Sequence, residues 1–248
     1  MKKMLIIGII LLITFFSAKS ILAVKSSEAL PEFKAVNTPL ITREVALQKE
    51  SPILPDSKLL DIPLLNQMDK PLLYNGCEVT SLAMILNYNG VKVTKNELAK
   101  NIKTVPLTYS NGKKGNPNAG FVGDMAHGPG LGVYNGPVYE LAQKYAGDKA
   151  VNLTGSPFTD LLKKVSQGHP VWIITTTSFA PVSVFQTWDT PQGKIDITFS
   201  EHSVVITGYD ENYIYINDPY GTKNKKLDRD NFIKAWEQMG KQAIIIEN

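Results

Sequence analysis

One cysteine and three histidines are the residues of this chain that could carry nucleophilic chemistry. Cys77 follows Gly76 and begins a predicted helix, because the apolar residues after it recur at helical spacing. A helix N-terminus carries a partial positive charge and free backbone N–H groups, which favour a thiolate and could hold an oxyanion. Cys77 is therefore a candidate nucleophile, although a lone cysteine is more often a small core residue.

Of the three histidines, His202 is the best placed to act as a base, since His127 and His169 lie in loops. His202 opens an apolar strand that runs to residue 209, turns at residues 210–212 and returns. In such a hairpin position 202 lies nearly opposite positions 218 to 220, so His202 and Asp218 meet at its open end. A carboxylate there could hold the imidazole in one tautomer, or Asp218 could simply start the Asp-Pro turn.

Three stretches of the chain closely resemble a known family of cysteine peptidases: NQMDKPLLYNGCEVTSLAMILNYNG, WDTPQGK and EHSVVITGYDENYIYINDPYG. The family is the bacteriocin-processing type in its stand-alone, secreted, C39-like form, and the resemblance covers about residues 58–240. It implies a papain-like fold and thiol-dependent cleavage of a peptide or protein substrate. It further implies that Cys77 is the nucleophile, His202 the base and Asp218 the residue that orients this base. Gln67, ten residues before the cysteine, is implied as the oxyanion donor.

One residue departs from the pattern of that family. Glu78 directly follows the cysteine, where the family frequently has a small residue. If its carboxylate faced the thiol, the charge would raise the pKa of the thiol.

The hydrophobic periodicity predicts helices in the first half of the chain and strands in the second. Helices are predicted over residues 77–90, 94–103, 137–147, 156–168 and 230–240, and strands over 170–176, 195–199, 202–209, 213–217 and 243–246. This order predicts an α+β architecture, in which an N-terminal helical half with the nucleophile at a helix start packs on a C-terminal antiparallel sheet.

The N-terminus has the pattern of an export signal. Residues 1–20 combine Lys2 and Lys3 with an apolar run and small residues near its end, so we predict a signal peptide. Residues 21–57 are interpreted as a linker or a pro-like segment, and residues 58–248 as the peptidase domain. The expected location is secreted or at the cell surface, with membrane contact only through an uncleaved signal segment.

Charge and composition exclude several classes of partner. Outside the three lysines of the signal, 23 basic residues balance 23 acidic ones, so no basic excess supports nucleic-acid binding. The three histidines show no close pairing and there is a single cysteine, so neither a metal site nor a cofactor is expected. We expect a monomer.

A glycine-rich segment is the candidate wall of a substrate groove. Residues 111–136 contain eight glycines and no regular period, and long loops of this kind are usually functional or mobile. Phe121, His127 and Tyr134 are the substrate-contact candidates within it. Trp188 is a fourth candidate, although tryptophans are more often packing residues.

Two alternatives to peptide hydrolysis fit the same residues. The triad would serve acyl transfer to an amine whenever that amine outcompetes water. A binding module could keep the cleft without turnover, and its thiol would then have ordinary reactivity.

Overall fold

The computed structural model describes residues 54–247. The predicted signal peptide, residues 1–20, and residues 21–53 of the predicted linker lie outside the described residues. The end of that linker, residues 54–57, is described, and Leu54 packs against the core. Within the described part of the chain, no helix has both the length and the apolar character needed to cross a bilayer.

The described chain forms five α-helices, a short 3₁₀ turn and eleven strands. The helices are α1 (Cys77–Tyr88), α2 (Lys95–Asn101), α3 (Asn135–Ala146), α4 (Phe158–Ser166) and α5 (Arg229–Gln238), with the 3₁₀ turn at Gly147–Lys149. The strands are β1 (Lys58–Leu59), β2 (Thr104–Val105), β3 (Phe121–Val122), β4 (Ala150–Asn152), β5 (Val171–Thr176), β6 (Gln186–Thr190), β7 (Gly193–Ile197), β8 (Glu201–Tyr209), β9 (Tyr213–Asp218), β10 (Thr222–Asp228) and β11 (Ala243–Ile246).

Seven of these strands form one antiparallel sheet. Its order is β10-β9-β8-β5-β11-β4, and β1 pairs with the end of β8. β1 and β4 precede residue 170 in the chain, and the other five strands of this sheet follow it. The predicted α+β class is confirmed.

Helix α1 lies against β8 and β5 at the centre of the fold. It is buried from Cys77 to Leu86 on all sides, as is typical of a helix enclosed by other elements. The predicted start at Cys77 agrees with the structure. The cap predicted for α2 also forms, because Thr94 Oγ1 accepts from the backbone N–H of Glu97 at 3.1 Å.

Helix α3 begins at Asn135, two residues before the predicted start at Pro137. Five strands were not predicted: the short strands β2, β3 and β4, and the longer strands β6 and β10. β6 pairs with β7 as a polar hairpin, and β10 forms the lysine-rich outer strand beside β9. Neither segment shows an apolar alternation, because an outer strand rich in lysine has little apolar surface to bury.

The hairpin of β8 and β9 has the register that the sequence predicted. Val205 pairs with Asn217, and continuing this register outward places His202 opposite Tyr220. The glycine-rich segment is more ordered than its composition suggested, because β3 pairs in parallel with β2 and Gly123 bridges to Gly130.

Candidate active site

Cys77 lies at the first position of α1, after a glycine that has no room for a side chain. A Cβ added to Gly76 would lie 2.5 Å from the Cβ of Leu73. The thiol is 8% exposed and faces the backbone N–H of Ser203 in β8. On the same helix, Ser81 Oγ donates to the carbonyl oxygen of Ser203 at 3.1 Å. The start of α1 is therefore docked on the strand segment that carries His202.

His202 and Asp218 form a buried pair. Nε2 of His202 lies 3.0 Å from Oδ1 of Asp218, and both side chains are almost fully enclosed. An imidazole whose Nε2 hydrogen bonds to a carboxylate presents Nδ1 as the nitrogen that can exchange a proton with a nucleophile. Sequence analysis placed these two residues at one end of the hairpin, and the structure brings them into contact.

Asp218 has donors on both of its carboxylate oxygens. Oδ1 also accepts from the backbone N–H of Tyr220 at 3.0 Å, and Oδ2 accepts from Lys225 Nζ at 3.2 Å. Burial raises the pKa of this carboxyl, but the hydrogen bond and charge of His202 and these further donors together lower it to about 2. Asp218 is therefore a carboxylate at any pH near neutrality.

Two aromatic rings hold the imidazole of His202. The ring of Tyr220 stacks on it with centroids 5.3 Å apart, and Phe179 meets it edge-on at 6.0 Å. Lys225 Nζ lies 4.3 Å from the centroid of Phe179. Tyr220 is itself 54% exposed, so it separates the imidazole from solvent.

Gln67 is buried, and its side chain hydrogen bonds to the segment that precedes Cys77. Its Nε2 donates to the carbonyl oxygens of Leu73 at 3.3 Å and Tyr74 at 3.0 Å. Its Oε1 is buried without a hydrogen-bond partner among residues 54–247. In this conformation both amide hydrogens are used, so oxyanion donation by Gln67 requires the amide to release one carbonyl.

Two buried glutamates lie on the other side of the thiol. Oε2 of Glu78 accepts from Cys77 Sγ at 3.4 Å, and Oε1 accepts from the backbone N–H of Val133 at 2.6 Å. Glu201 directly precedes His202 and is also buried. Its Oε1 has no hydrogen-bond partner within the described part of the chain. The carboxyls enclose Gly132, where an added Cβ would lie 2.4 Å from Glu201 Oε2 and 2.7 Å from Glu78 Oε1.

These surroundings raise the pKa of all three acidic groups. Burial, followed by the charges of Glu78 and Glu201, raises the pKa of the Cys77 thiol well above its ordinary value. Burial raises the pKa of Glu78 to about 7, and burial together with the charge of Glu78 raises that of Glu201. The lowering expected from the helix N-terminus is therefore outweighed, and the thiol is neutral in this conformation.

The thiol and the two carboxyls are close enough for one ion to reach. One donor atom from each of Cys77, Glu78 and Glu201 lies within 4.8 Å of the others, and no other such group of His, Cys, Asp and Glu occurs within residues 54–247. Structural zinc sites in proteins almost always have four ligands, and this group has three. The arrangement alone does not define a metal site.

The substrate-contact candidates have different surroundings. Phe121 is 0% exposed and belongs to the core, so the prediction that its side chain lines a groove is wrong. Trp188 packs in a small cluster with Val122 and Ile197, and its burial does not support a contact role. His127 is exposed, and its Nδ1 lies 3.2 Å from Oδ2 of Asp124.

Tyr134 is half-buried just before α3, and its raised pKa reflects its burial and the charge of Glu201.

Sequence analysis missed the neighbours of the predicted triad. Three residues that contact or adjoin predicted site residues were not singled out as candidates: Glu201, Tyr220 and Lys225. The adjacent positions of Glu201 and His202 in a buried strand are a signal that could have marked Glu201, because charged residues are rarely fully buried unless paired.

The fold agrees with the comparisons to known proteins. The sequence model of the Peptidase_C39 like family matches residues 59–244, and this chain belongs to that family of peptidase-like proteins. It is 62% identical over 191 residues to the uncharacterized protein YvpB of Bacillus subtilis (strain 168), with 77% of this chain and 76% of YvpB covered. A crystal structure of a candidate C39-like peptidase from Bacillus anthracis is 45% identical with a TM-score of 0.75. That comparison covers 77% of this chain and 98% of the Bacillus anthracis chain, and the predicted resemblance is confirmed.

Proposed function

We propose that this protein is an exported thiol peptidase that cleaves peptide bonds in a peptide or protein substrate. The observation that carries the proposal is the buried contact between His202 Nε2 and Asp218 Oδ1 at 3.0 Å. His202 lies on β8, the strand against which the start of α1, with Cys77, is docked, and Asp218 ends the neighbouring strand β9. Acyl transfer through a cysteine requires a thiol as the nucleophile, an imidazole as its base and a carboxylate that orients the imidazole.

In the proposed reaction the thiol of Cys77 rotates from Glu78 toward His202 and gives its proton to Nδ1. The thiolate adds to the substrate carbonyl carbon and forms a tetrahedral intermediate. His202 then passes the proton to the leaving amine, and the carbon–nitrogen bond breaks to give an acyl-enzyme. Water, deprotonated by His202, releases the acyl group and restores the thiol. Asp218 orients the imidazole and stabilises its charged form throughout.

The negative oxygen of the tetrahedral intermediate needs hydrogen-bond donors. The backbone N–H of Cys77 is free of intrahelical partners, since the first N–H groups of a helix have none. Gln67 is the proposed second donor. Because its Nε2 hydrogens are bonded to the carbonyls of Leu73 and Tyr74, substrate binding would have to displace the amide from one of them.

The proposed location follows from the N-terminal sequence. Lys2 and Lys3, the apolar run and the small residues of the first twenty positions have the pattern of a secretory signal. The substrate would then be met outside the cytoplasmic membrane, at the cell surface or in the medium. Peptide is the proposed partner, and the near-zero net charge beyond the signal gives no support for nucleic acid.

A second candidate function is peptide binding without turnover. It is favoured by one observation: Cys77 Sγ hydrogen bonds to Glu78 at 3.4 Å, and burial raises the pKa of the thiol. A thiol that stayed in this state would be a poor nucleophile.

Two measurements on the mature protein separate these candidates. Incubation with secreted proteins of the producing cell, followed by mapping of new peptide termini, should yield cleavage that is absent with Cys77→Ala. The alkylation rate of Cys77 should be high near neutral pH and fall about a hundredfold or more in His202→Ala, while His127→Ala matches the wild type. No new termini, together with an alkylation rate unchanged by His202→Ala, would overturn the peptidase proposal in favour of binding.

A further inference from the structure

The carboxyl pair beside the thiol lacks the donors that buried carboxylates normally have. Within the described part of the chain, no lysine or arginine side chain hydrogen bonds to Glu78 or Glu201. Glu78 accepts from the thiol, from the backbone N–H of Val133 and from its own backbone N–H, whereas Oε1 of Glu201 is buried without a partner among residues 54–247. The two carboxyls approach within 4.8 Å of each other.

Two carboxyls at this separation in a buried site cannot both be ionised. Each charge would lose its hydration, and the two would repel each other at low local dielectric, so one proton is retained by the pair. A carboxyl that retains its proton also has an O–H donor, which can supply a hydrogen bond where buried carboxyl oxygens have few donors.

We propose that Glu78 and Glu201 share one proton beside the Cys77 thiol, and that the charge on this pair sets the pH range in which the thiolate forms. The proposal rests on the proposed function, because it assigns these glutamates to the control of the nucleophile. Both act through the thiol and are positioning residues.

The sign of the effect follows from the groups that face the pair. These are the thiol of Cys77 from α1 and Tyr134 from the segment before α3. His202 follows Glu201 in β8 and points to the opposite face of the strand. Tyr220, stacked on His202, also lies within range of the charge of Glu201.

At acid pH both carboxyls are protonated, and the pair is neutral. As the pH rises through about 7, where Glu78 loses its proton, the pair becomes negative and opposes ionisation of the thiol. The pair therefore opposes formation of the thiolate least in the more acidic part of the range.

The test is the rate of alkylation of Cys77 by iodoacetamide in the whole mature protein, measured at about pH 5 and about pH 8. Glu78→Gln/Glu201→Gln keeps the pair neutral at both pH values, and Glu140→Gln removes an exposed carboxyl far from the thiol as a matched control. We expect the double variant to match the wild type within about twofold at pH 5 and to react about tenfold faster at pH 8. Tenfold corresponds to one unit in the pKa of the thiol.

A second measurement needs no variant of uncertain stability. Infrared spectra of the wild type should contain the C=O stretch of a buried protonated carboxyl at pH 6, and this band should weaken by pH 9 and be absent from Glu78→Gln/Glu201→Gln. A ratio of alkylation rates that is the same at both pH values, or a wild-type spectrum without the band, would overturn the proposal. The proposal would also be overturned if added Zn²⁺ protected the thiol from alkylation in the wild type but not in the double variant, because the pair would then hold a cation.

Alkylation does not depend on turnover, so the two proposals fail separately. If the rates follow the expected pattern and no peptide is cleaved, the glutamates control the thiol and the peptidase proposal is wrong. If peptides are cleaved with an unchanged ratio of rates, the peptidase proposal stands and the shared proton does not.

Discussion

Glu201 and His202 are neighbours in strand β8, yet they belong to two regions of the site with opposite electrostatics. We call His202, Asp218 and Lys225 the histidine side, and Cys77, Glu78 and Glu201 the thiol side. Successive residues of a strand point to opposite faces, so one strand supplies both sides. On the histidine side the pKa of the carboxyl is lowered to about 2, whereas on the thiol side the pKa of every acid is raised.

Burial does not explain this difference. Asp218 is 4% exposed and Glu201 is 7% exposed, so both have lost nearly all contact with water. The number of donors is what differs. Asp218 has an imidazole, an ammonium and a backbone N–H on its oxygens, whereas Oε1 of Glu201 has none among residues 54–247. A buried carboxyl ionises where donors replace water and retains a proton where they do not.

The comparison gives the two sides separate tasks. The histidine side holds a fixed negative charge that favours an imidazolium, as the proposed base requires. The thiol side keeps the Cys77 thiol protonated until its sulfur moves away from Glu78. In the proposed enzyme, the active ion pair therefore forms only when the thiol leaves one side for the other.

The largest expected effect comes from removing the fixed charge of the histidine side. Asp218→Asn should lower kcat/KM for a cleaved peptide about a hundredfold or more, because the imidazole loses both its orientation and the charge that stabilises its protonated form. Lys225→Gln removes only one donor to Asp218, so it should cost less than about tenfold. If the two variants had equal activity, the contrast between a partnered and an unpartnered carboxyl would have no catalytic meaning.

The two sides should also change the free energy of unfolding with pH in opposite directions. The pKa of Asp218 is depressed in the folded state, so about 2 kcal/mol of stability is present above about pH 4 and is lost as the pH falls through about 2. The pKa of Glu78 is raised, so its stabilising contribution is present at acid pH and is lost as the pH rises from about 4.5 through about 7.

Urea unfolding over this range should separate the two effects. The destabilisation caused by Asp218→Asn should shrink toward zero between about pH 4 and pH 2. Glu78→Gln/Glu201→Gln should gain stability relative to the wild type as the pH rises toward 7, while exposed Glu140→Gln shows no such trend. Parallel pH profiles for the two variants would contradict the comparison.

Sequence analysis predicted that His202 and Asp218 lie together because the geometry of this pair is local. His202 and Asp218 are sixteen residues apart in one hairpin, and a hairpin register can be counted from its turn. The thiol side could not be predicted in the same way. Glu78 and Glu201 are joined only by the docking of α1 on β8, and no local pattern fixes which side chains meet across such a contact.

The errors elsewhere in the fold have related causes. β10 has an exposed, lysine-rich sequence, and a strand that buries little has no apolar period to recognise. Phe121 was interpreted as a groove residue because glycines surround it, but pairing of β3 with β2 encloses its ring in the core. Gln67 was singled out through the family resemblance, while the hydrogen bonding of its amide to two carbonyls depends on the tertiary structure of residues 73–74.

The smallest expected effect concerns Tyr220, which covers the histidine side. Its ring stacks on His202 with centroids 5.3 Å apart, and such an aromatic contact is worth about 1 kcal/mol. Tyr220→Ala should therefore lower kcat about fivefold, because the imidazole gains freedom and water reaches the contact with Asp218. Tyr220→Phe retains the ring and should keep kcat within about twofold, so a large loss in Tyr220→Phe would show that the hydroxyl contributes instead. Tyr220→Ala leaves both carboxyls of the pair in place, so its alkylation profile should keep its dependence on the charge of Glu78 and Glu201. A profile that lost this dependence would mean that the two sides are not independent.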